Sequence, residues 1–495
     1  MTTTNAVGTT MLPPSAQFTA DSINASPVGR AVMQQAAMAE QRRRTRMQRA
    51  QDAFYGRLPE TLRTKPGKPN DNIKLNYGRR FVNRSASFLF GKGIEFEIDA
   101  TRSTEEEELL TKVWKRNRKK RLLADLAVNG AIYGHVFARL LPPDATSGSD
   151  LPRIIALDPM TVTVDWAPDD IAMVTNYTIS YPTISLAGKP ITYRTRITPN
   201  GGAWLITDAT TPVDRDQWVT LTETVWPYPF PPIVHCQNLP APSEFWGMAD
   251  LEDDVVDLIQ AVNFSISMVR RVVRYHGHPK TIVYGLNAKQ LQLDTDEMLI
   301  LQNPDTRIEN LTLPADLGLN MQFFGMLRSE LHNEAQVPEI ALGNMAGVGA
   351  LSGVALRIMY QPMLDRNEAK QESYGELLEQ ICERLLVMAG LRDSIDDVEV
   401  TCSWPEALPR DEEREIASLG ADMQLGIVAP STIATKRGYD YPAEMVKKAR
   451  DAKLDTTAEQ PETPQADTAD AQEVAPTDNE SETPDAQPEV DGETA

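Results

Sequence analysis

Apolar residues recur every three or four positions along several long segments of the chain. This spacing places them on one side of an α-helix, whereas strands alternate apolar and polar residues. The segment 244–275 is a clear case, with Leu251, Val255 and Leu258 on one face and Asp253 and Asp254 near its start. The same reasoning predicts helices over 28–55, 72–90, 103–128, 316–336, 410–425 and 430–453.

From Gly130 to Gln237 the pattern changes to short runs that are divided by Pro, Gly and Asp. These runs predict strands over 131–141, 154–165, 174–181, 191–197, 203–207 and 217–226. Other strands are predicted over 94–98, 281–284, 298–302, 308–311 and 398–404. Because helices and strands do not alternate as βαβ units, we predict an α+β fold and no doubly wound nucleotide-binding sheet.

The most informative segment is rich in glycine and precedes a long amphipathic helix. Residues 342–353 read LGNMAGVGALSG, and no charged residue occurs from Ala341 to Val354. The helix that follows contains Pro362, which lacks a backbone donor and crowds the preceding turn, so we expect a kink there. Glycine makes the segment adaptable, which indicates a projecting loop. An ordinary flexible connector is the alternative.

Charge is distributed unevenly along the 495 residues, whose net charge is −21. Residues 455–495 contain thirteen acidic residues and no Lys or Arg, so the rest of the chain carries −8. This tail, like residues 1–28, has too few large apolar side chains to offset chain entropy, and both are predicted to be disordered. A solubility tail is favoured over a spacer that repels nucleic acid or binds a basic partner.

Basic residues cluster in three predicted helices. The first helix carries Arg42, Arg43, Arg44, Arg46 and Arg49, for which an ion-paired or solvated face is favoured over phosphate contact. In the segment 103–128, four glutamates at the start and Lys/Arg at 115–121 follow the helix dipole, which favours a structural role over nucleic-acid binding. The segment 244–275 ends in Arg270, Arg271 and Arg274.

The sequence lacks the common signatures of catalysis. It has no GxxxxGK[ST], HExxH or GxSxG motif, and the Gly347, Gly349 and Gly353 spacing differs by one from a dinucleotide fingerprint. His276 and His278 have no nearby Cys or paired carboxylate, which favours a turn over a metal site. The three cysteines are widely separated, and no secretory signal or membrane span is evident. We therefore predict a soluble, non-enzymatic protein without cofactor or metal.

Four segments, taken in order, resemble the portal proteins of tailed double-stranded DNA bacteriophages of the long-tailed type. Together they cover most of residues 30–450, whereas the acidic tail is not a family feature. The segments are Phe54-Tyr55-Gly56 with 72–98, then 245–275 with Gly247, Asp250, Leu251 and Asn263, then 279–285, and finally 338–390 with Ser352, Gly353, Ala355, Leu356 and Pro362.

The resemblance implies a ring, usually a dodecamer, at one vertex of the capsid in the virion. Double-stranded DNA would pass through its channel during packaging and ejection. The terminase large subunit would dock on it first, and head-completion or adaptor proteins of the connector would dock later. Major capsid and scaffolding proteins would surround it, no membrane would be involved, and synthesis would take place in the host cytoplasm.

The resemblance also implies a division of the chain into named regions. The wing would span 29–243, the stem 244–278 and 316–337, the clip 279–315, the tunnel loop 338–353, the long kinked wing helix 354–395 and the crown 396–454. The tunnel loop would face DNA through Gly343, Asn344, Met345, Gly347, Gly349, Ser352 and Gly353.

Three questions stay open at this stage. Arg270, Arg271 and Arg274 would form ion pairs between subunits, or contact capsid or DNA phosphates. A nucleotide-dependent transferase that uses the glycine-rich loop is one alternative function. A virion ring or scaffold that does not conduct DNA is another.

Overall fold

A computed structural model provides the architecture of the chain. Its backbone divides into two compact units, one up to Arg410 and the other from Asp411 onward. The structure describes residues 27–67, 69–98, 104–143, 150–167, 169–185, 187–213, 217–277, 280–284, 307–311, 317–343, 353–395, 399–408 and 412–458.

Ten helices lie within the described ranges. They are α1 (Pro27–Tyr55), α2 (Tyr77–Phe90), α3 (Thr104–Arg116), α4 (Lys119–Tyr133), α5 (Asp253–Gly277), α6 (Leu317–Glu334), α7 (Gly353–Met388), α8 (Glu412–Gln424), α9 (Pro430–Lys436) and α10 (Tyr441–Ala458). Short 3-10 helices occur at Pro159–Thr161 and Glu339–Leu342.

The strands of the described ranges pair in antiparallel fashion throughout. They are β1 (Glu95–Ile98), β2 (His135–Leu141), β3 (Arg153–Leu157), β4 (Val162–Trp166), β5 (Val174–Ile184), β6 (Pro190–Asn200), β7 (Ala203–Pro212), β8 (Val219–Trp226), β9 (Ile233–Gln237), β10 (Lys280–Tyr284), β11 (Arg307–Leu311) and β12 (Val400–Ser403). Strands β4 to β8 form a five-stranded meander, and a second sheet has the order β3-β2-β9. Two further pairs, β1 with β12 and β10 with β11, complete the set, so the predicted α+β class is confirmed.

The first unit contains two hydrophobic cores that share helix α7. One core joins the sheets to α3, α4 and the second half of α7, where Tyr374, Leu377 and Ile381 are fully buried. The other is helical and receives Tyr360 and Met363 from the first half of α7, packed among α1, α2 and α5. Helix α7 therefore ties the sheet region to the helical region.

The predicted helix over 103–128 is wrong in one respect, because the chain breaks it into α3 and α4. Arg118 adopts a left-handed backbone with φ of 54° between them. The Asn117 side chain holds this break by donating to the carbonyls of Val113 and Pro152 and accepting from the Ile154 N–H. Helix α4 then continues to Tyr133, into the segment predicted as strand 131–141.

Other predicted helices begin later than expected. The segment 72–76 is irregular rather than helical, since its Ile73 and Leu75 N–H groups donate to Ser267 and Asn263 of α5. Helix α2 then begins at Tyr77. The predicted helix over 244–275 begins only at Asp253.

Turns divide two further predicted elements. The predicted strand 154–165 is interrupted at Pro159–Thr161, where Asp158 caps a 3-10 turn. The predicted helix 430–453 is two helices, α9 and α10, separated at Gly438 with φ of 79°. Strand β9 was not predicted, because its five residues follow a Pro-rich stretch.

The predicted ends of the ordered region shift slightly. Helix α1 begins at Pro27, inside the segment 1–28 that was predicted to be disordered, and α10 includes residues 455–458 of the predicted tail. The predicted strand 298–302 lies outside the described residues, as does the tail beyond 458.

Candidate functional site

The glycine-rich segment is attached at a well-packed point of the helical core. Ile340 and Ala341, in the 3-10 helix before it, are buried. Gly343 caps that helix with φ of 89°, and its N–H donates to the Ile340 carbonyl. Residues 344–352, which include the predicted DNA-facing Asn344 and Met345, lie outside the described residues. Helix α7 begins directly after them, at Gly353.

Side chains from three elements hold this attachment point. Arg366 of α7 donates to the Ala335 carbonyl at 2.7 Å, just after α6 ends. Arg328 of α6 forms an ion pair at 3.1 Å with Glu339 of the 3-10 helix. The His332 ring contacts the Val337 carbonyl at 2.7 Å. The start of the glycine-rich segment is therefore fixed to both α6 and α7.

A buried charge cluster joins α7 to the segment that precedes α5. Asp250 accepts from Lys370 at 2.6 and 2.7 Å and pairs with Arg366 at 3.1 Å. Burial alone raises the pKa of Asp250, but the charges of Arg366 and Lys370 outweigh it and lower the pKa. The sequence analysis named Asp250 only as part of the family resemblance, whereas the structure shows that it anchors α7.

Several residues of the family resemblance have packing roles at this point. A Cβ at Gly247 would lie 2.5 Å from the Gly134 carbonyl oxygen, so the two backbones meet where a side chain cannot fit. Leu251 is buried in the helical core. Asn263 receives the N–H of Leu75 at 2.8 Å. These residue types are therefore explained by the packing of α5 and of the segment that precedes it.

The arginines at the end of α5 have a partner in the same chain. Arg274 binds the Asp71 carboxylate with two hydrogen bonds of 2.8 and 2.7 Å, and Arg271 contacts it at 3.4 Å. Hydrogen bonding to Arg274 lowers the pKa of Asp71. Arg270 is exposed. The sequence analysis missed Asp71, which lies about 200 residues away.

The arginine-rich face of α1 is ion-paired, as the sequence analysis favoured. Arg43 and Arg44 both bind Glu40. Arg46 and Arg49 reach α5 and the residue before it, and their partners are Glu252, Asp253 and Asp257. These arginines fasten α1 to the start of α5.

Helix α6 exposes an apolar surface that the sequence analysis did not predict. Its buried side includes Leu331 and Ala335 beyond its end, but Leu319, Phe323 and Met326 are 64, 50 and 55% exposed. Residues 317–327 contain only Asn320 and Gln322 as polar side chains, so this half of the helix is apolar on all sides. That composition is typical of a fully buried helix. It is the feature of the sequence from which this apolar surface could have been predicted.

The first turns of α7 continue this exposure. Val354, Ile358 and Met359 are exposed, and so is Pro362. Helix α7 runs through Pro362 without interruption, while its neighbours Tyr360 and Met363 are buried. The kink at Pro362 stays a prediction.

A histidine pair lies in the sheet region, with His135 buried and His235 partly buried. His135 Nε2 and His235 Nδ1 are 3.2 Å apart, among Phe137, Phe245 and Trp246. Burial, then repulsion from His235, lowers the pKa of His135 well below 6.5. Burial and the charge of Arg384 lower the pKa of His235 to about 4. Both rings are therefore neutral in the folded protein at neutral pH.

This pair predicts a loss of stability in mild acid. The unfolded chain takes up protons on both histidines below about pH 6.5, whereas the folded protein resists them, so unfolding becomes easier as pH falls from 6.5 toward 4. Each histidine contributes a slope of up to about 1.4 kcal/mol per pH unit. Denaturant unfolding at several pH values measures the slope. The variant H135F/H235F should have a shallower one, and an equal slope in both proteins would contradict the assignment.

Neither a metal-binding cluster nor a membrane-spanning helix is found among the described residues. Within these ranges, no group of three or more His, Cys, Asp and Glu side chains is arranged to hold a metal ion. None of the helices in the described part of the chain has the length and apolar character to span a bilayer.

Comparison with known proteins identifies the family. One similar solved structure, "Virion of native gene transfer agent (GTA) particle", shares 13% identity over 73% of this chain and 89% of that chain, with a TM-score of 0.37. A search of curated proteins finds no match. The family model "Phage portal protein, SPP1 Gp6-like" matches residues 36–457. The chain therefore belongs to this family of phage portal proteins.

Proposed function

We propose that this portal protein forms a closed ring at one capsid vertex, through which double-stranded DNA is packaged and later ejected. The match of the family model over residues 36–457 is the observation that carries the proposal. The ring is most simply a dodecamer and a component of the virion. A nucleotide-dependent transferase is not favoured, since the sequence contains no GxxxxGK[ST] motif.

The exposed apolar surface of α6 supports ring formation. Leu319, Phe323 and Met326 lie at helical spacing on one side, and a monomer leaves them in water. In a closed ring, one surface of each subunit covers a different surface of its neighbour, so such side chains are buried at every interface. A ring thus accounts for a helix that is apolar on all sides.

The regions proposed for the chain follow the described elements. Helices α5 and α6 would form the stem, β10 and β11 the clip between them, and α7 the long wing helix. The wing would comprise 29–243 and the crown 396–454, although β12 at the start of the latter pairs with β1.

The glycine-rich segment would be the tunnel loop. Each phosphate neutralised by Lys or Arg strengthens DNA binding through counterion release, so a basic lining would hold the duplex back. Residues 341–354 carry no charge, and their attachment point is fixed by Arg366 and Arg328. The loop would touch passing DNA through Asn344, Met345 and backbone.

The proposed partners follow from this role. The terminase large subunit and later the head-completion or adaptor proteins would dock on the clip, and major capsid and scaffolding proteins would contact the outer ring. The protein would need no cofactor and catalyse no reaction. Purified protein should accordingly bind no ATP.

Imaging of the purified full-length protein tests the proposal. Negative-stain electron microscopy and native mass measurement should show a ring with a central hole wide enough for duplex DNA. A stable monomer, or a ring without a hole, would overturn it.

Replacement of the loop glycines gives a functional prediction. The variant G347L/G349L should assemble rings as the parent does but package less DNA, because bulky side chains restrict the loop. A packaging assay with purified proheads and motor measures the effect, and A346S serves as a mild control. Packaging equal to that of the parent would argue against a DNA-facing role.

A further inference from the structure

A group of basic residues lies at the corner between α3 and α4, far in sequence from the proposed tunnel loop. Seven of the ten residues from 112 to 121 are Lys or Arg. Strand β3 begins beside this corner, at Arg153. An open cavity of about 340 Å³ is lined by Arg116, Asn117, Arg118, Arg153 and Ile154.

Only three of these basic side chains have contacts that stabilise the fold. Lys112 pairs with Glu108, and Arg121 lies 3.7 Å from Asp125. Lys119 donates to the Ile94 carbonyl and lies over the Phe96 ring. The remaining five basic side chains are exposed and form no ion pair with the residues that the structure describes. They are Lys115, Arg116, Arg118, Lys120 and Arg153.

Helix electrostatics do not account for the cluster. Basic residues suit the carboxyl end of α3, but they are unfavourable at the amino end of α4, where the dipole is positive. Residues 118–121 are nevertheless all basic, and the first turn of α4 contains no acidic residue. Arg118 also holds a left-handed backbone, a strained conformation for a residue with a side chain. The corner thus concentrates positive charge at an energetic cost.

The geometry of the corner is rigid. Asn117 bonds to the Val113 and Pro152 carbonyls and to the Ile154 N–H, so α3 and the start of β3 are tied together. Arg116, Arg118 and Arg153 therefore border the cavity from fixed backbone positions. Three guanidinium groups beside one cavity favour an anion with several oxygens.

We infer that this corner binds the phosphates of a DNA backbone, through residues other than those of the proposed tunnel loop. An acidic protein is disfavoured as the ligand, because protein interfaces need an apolar centre. No large exposed apolar side chain occurs among the described residues between 104 and 165. The choice of DNA as the polyanion rests on the proposed function.

The test uses full-length protein and fluorescence anisotropy of a labelled duplex of about 30 base pairs, titrated at about 50–200 mM salt. The variant R116Q/R118N/R153Q removes three charges, and Asn suits the left-handed position of residue 118. The control R42Q/R63Q/K65Q removes three exposed charges elsewhere. Thermal unfolding and ring images of all three proteins establish that the fold and the assembly are unchanged.

We expect the corner variant to bind DNA at least about tenfold more weakly, with a salt slope lower by roughly 2 to 3. The control should lose much less. Equal losses in the two variants, or none in either, would refute the inference. Displacement of the duplex by poly-glutamate as readily as by unlabelled DNA would also refute it, since the corner would then be a site for acidic protein. Ring imaging reports on the portal role independently of all these outcomes.

Discussion

The variant F323E/M326E is expected to abolish ring assembly while leaving the individual chain folded. Both side chains are about half exposed on α6, so their replacement disturbs little within the subunit. At a subunit interface, two carboxylates would be buried without partners. We expect a cost of about 3 kcal/mol or more for each interface, which weakens association by about a hundredfold or more. Native mass spectrometry and negative-stain images measure the result.

A matched control separates loss of apolar contact from a change of shape. The variant F323L/M326L keeps both positions apolar, and it should still form rings. Thermal unfolding of the glutamate variant should match that of a dissociated parent chain. Intact rings in the glutamate variant would show that this surface of α6 faces something other than a neighbouring subunit.

The variant K370M should be strongly destabilised. Lys370 and Asp250 are both buried, and the charge of each is balanced by the other, with Arg366 as a second cation beside Asp250. Neutral side chains add one hydrogen bond to each, from Asn238 to Asp250 and from Lys370 to Ser85. Deletion of one partner leaves a buried carboxylate with too little positive charge, at a cost of about 3–5 kcal/mol. Denaturant unfolding, measured in the ring-deficient F323E/M326E background, reports the stability of the single chain.

Two further variants make this prediction specific. The double variant D250N/K370M replaces the buried carboxylate by a neutral amide, so it should recover part of the lost stability. Recovery should be incomplete, because Arg366 then lacks its carboxylate partner. The variant K112M breaks an exposed pair with Glu108 and should leave stability unchanged. If K370M were as stable as the parent, the cluster would not be what holds α7 in place.

Local pattern identified most elements but placed their ends less well. Helices α1, α6 and α8 lie within a few residues of the predicted ranges, because apolar periodicity along a helix is a local property. The break at Arg118 was missed because the left-handed turn depends on Asn117 bonding to residues near 153. The late start of α2 was missed for a similar reason, since residues 73 and 75 bond to α5.

The features of the candidate site were likewise predicted only in part. The uncharged glycine-rich segment and the position of Pro362 were apparent from the sequence. The partner of Arg271 and Arg274 was not, because Asp71 comes close only after α5 packs against the irregular segment before α2. The ion-paired face of α1 was predicted in kind, although its partners in and near α5 were not.

Residue type and spacing were enough to predict the α+β class, the order of the long helices, the absence of charge in residues 341–354 and the resemblance to portal proteins. These properties depend on residue type and on spacing between near neighbours. The folded chain was needed to show that Asp250 is buried between Arg366 and Lys370. It was also needed to show that Phe323 and Met326 of α6 are exposed on the single chain. Burial and pairing across hundreds of residues arise from packing, which a linear pattern does not record.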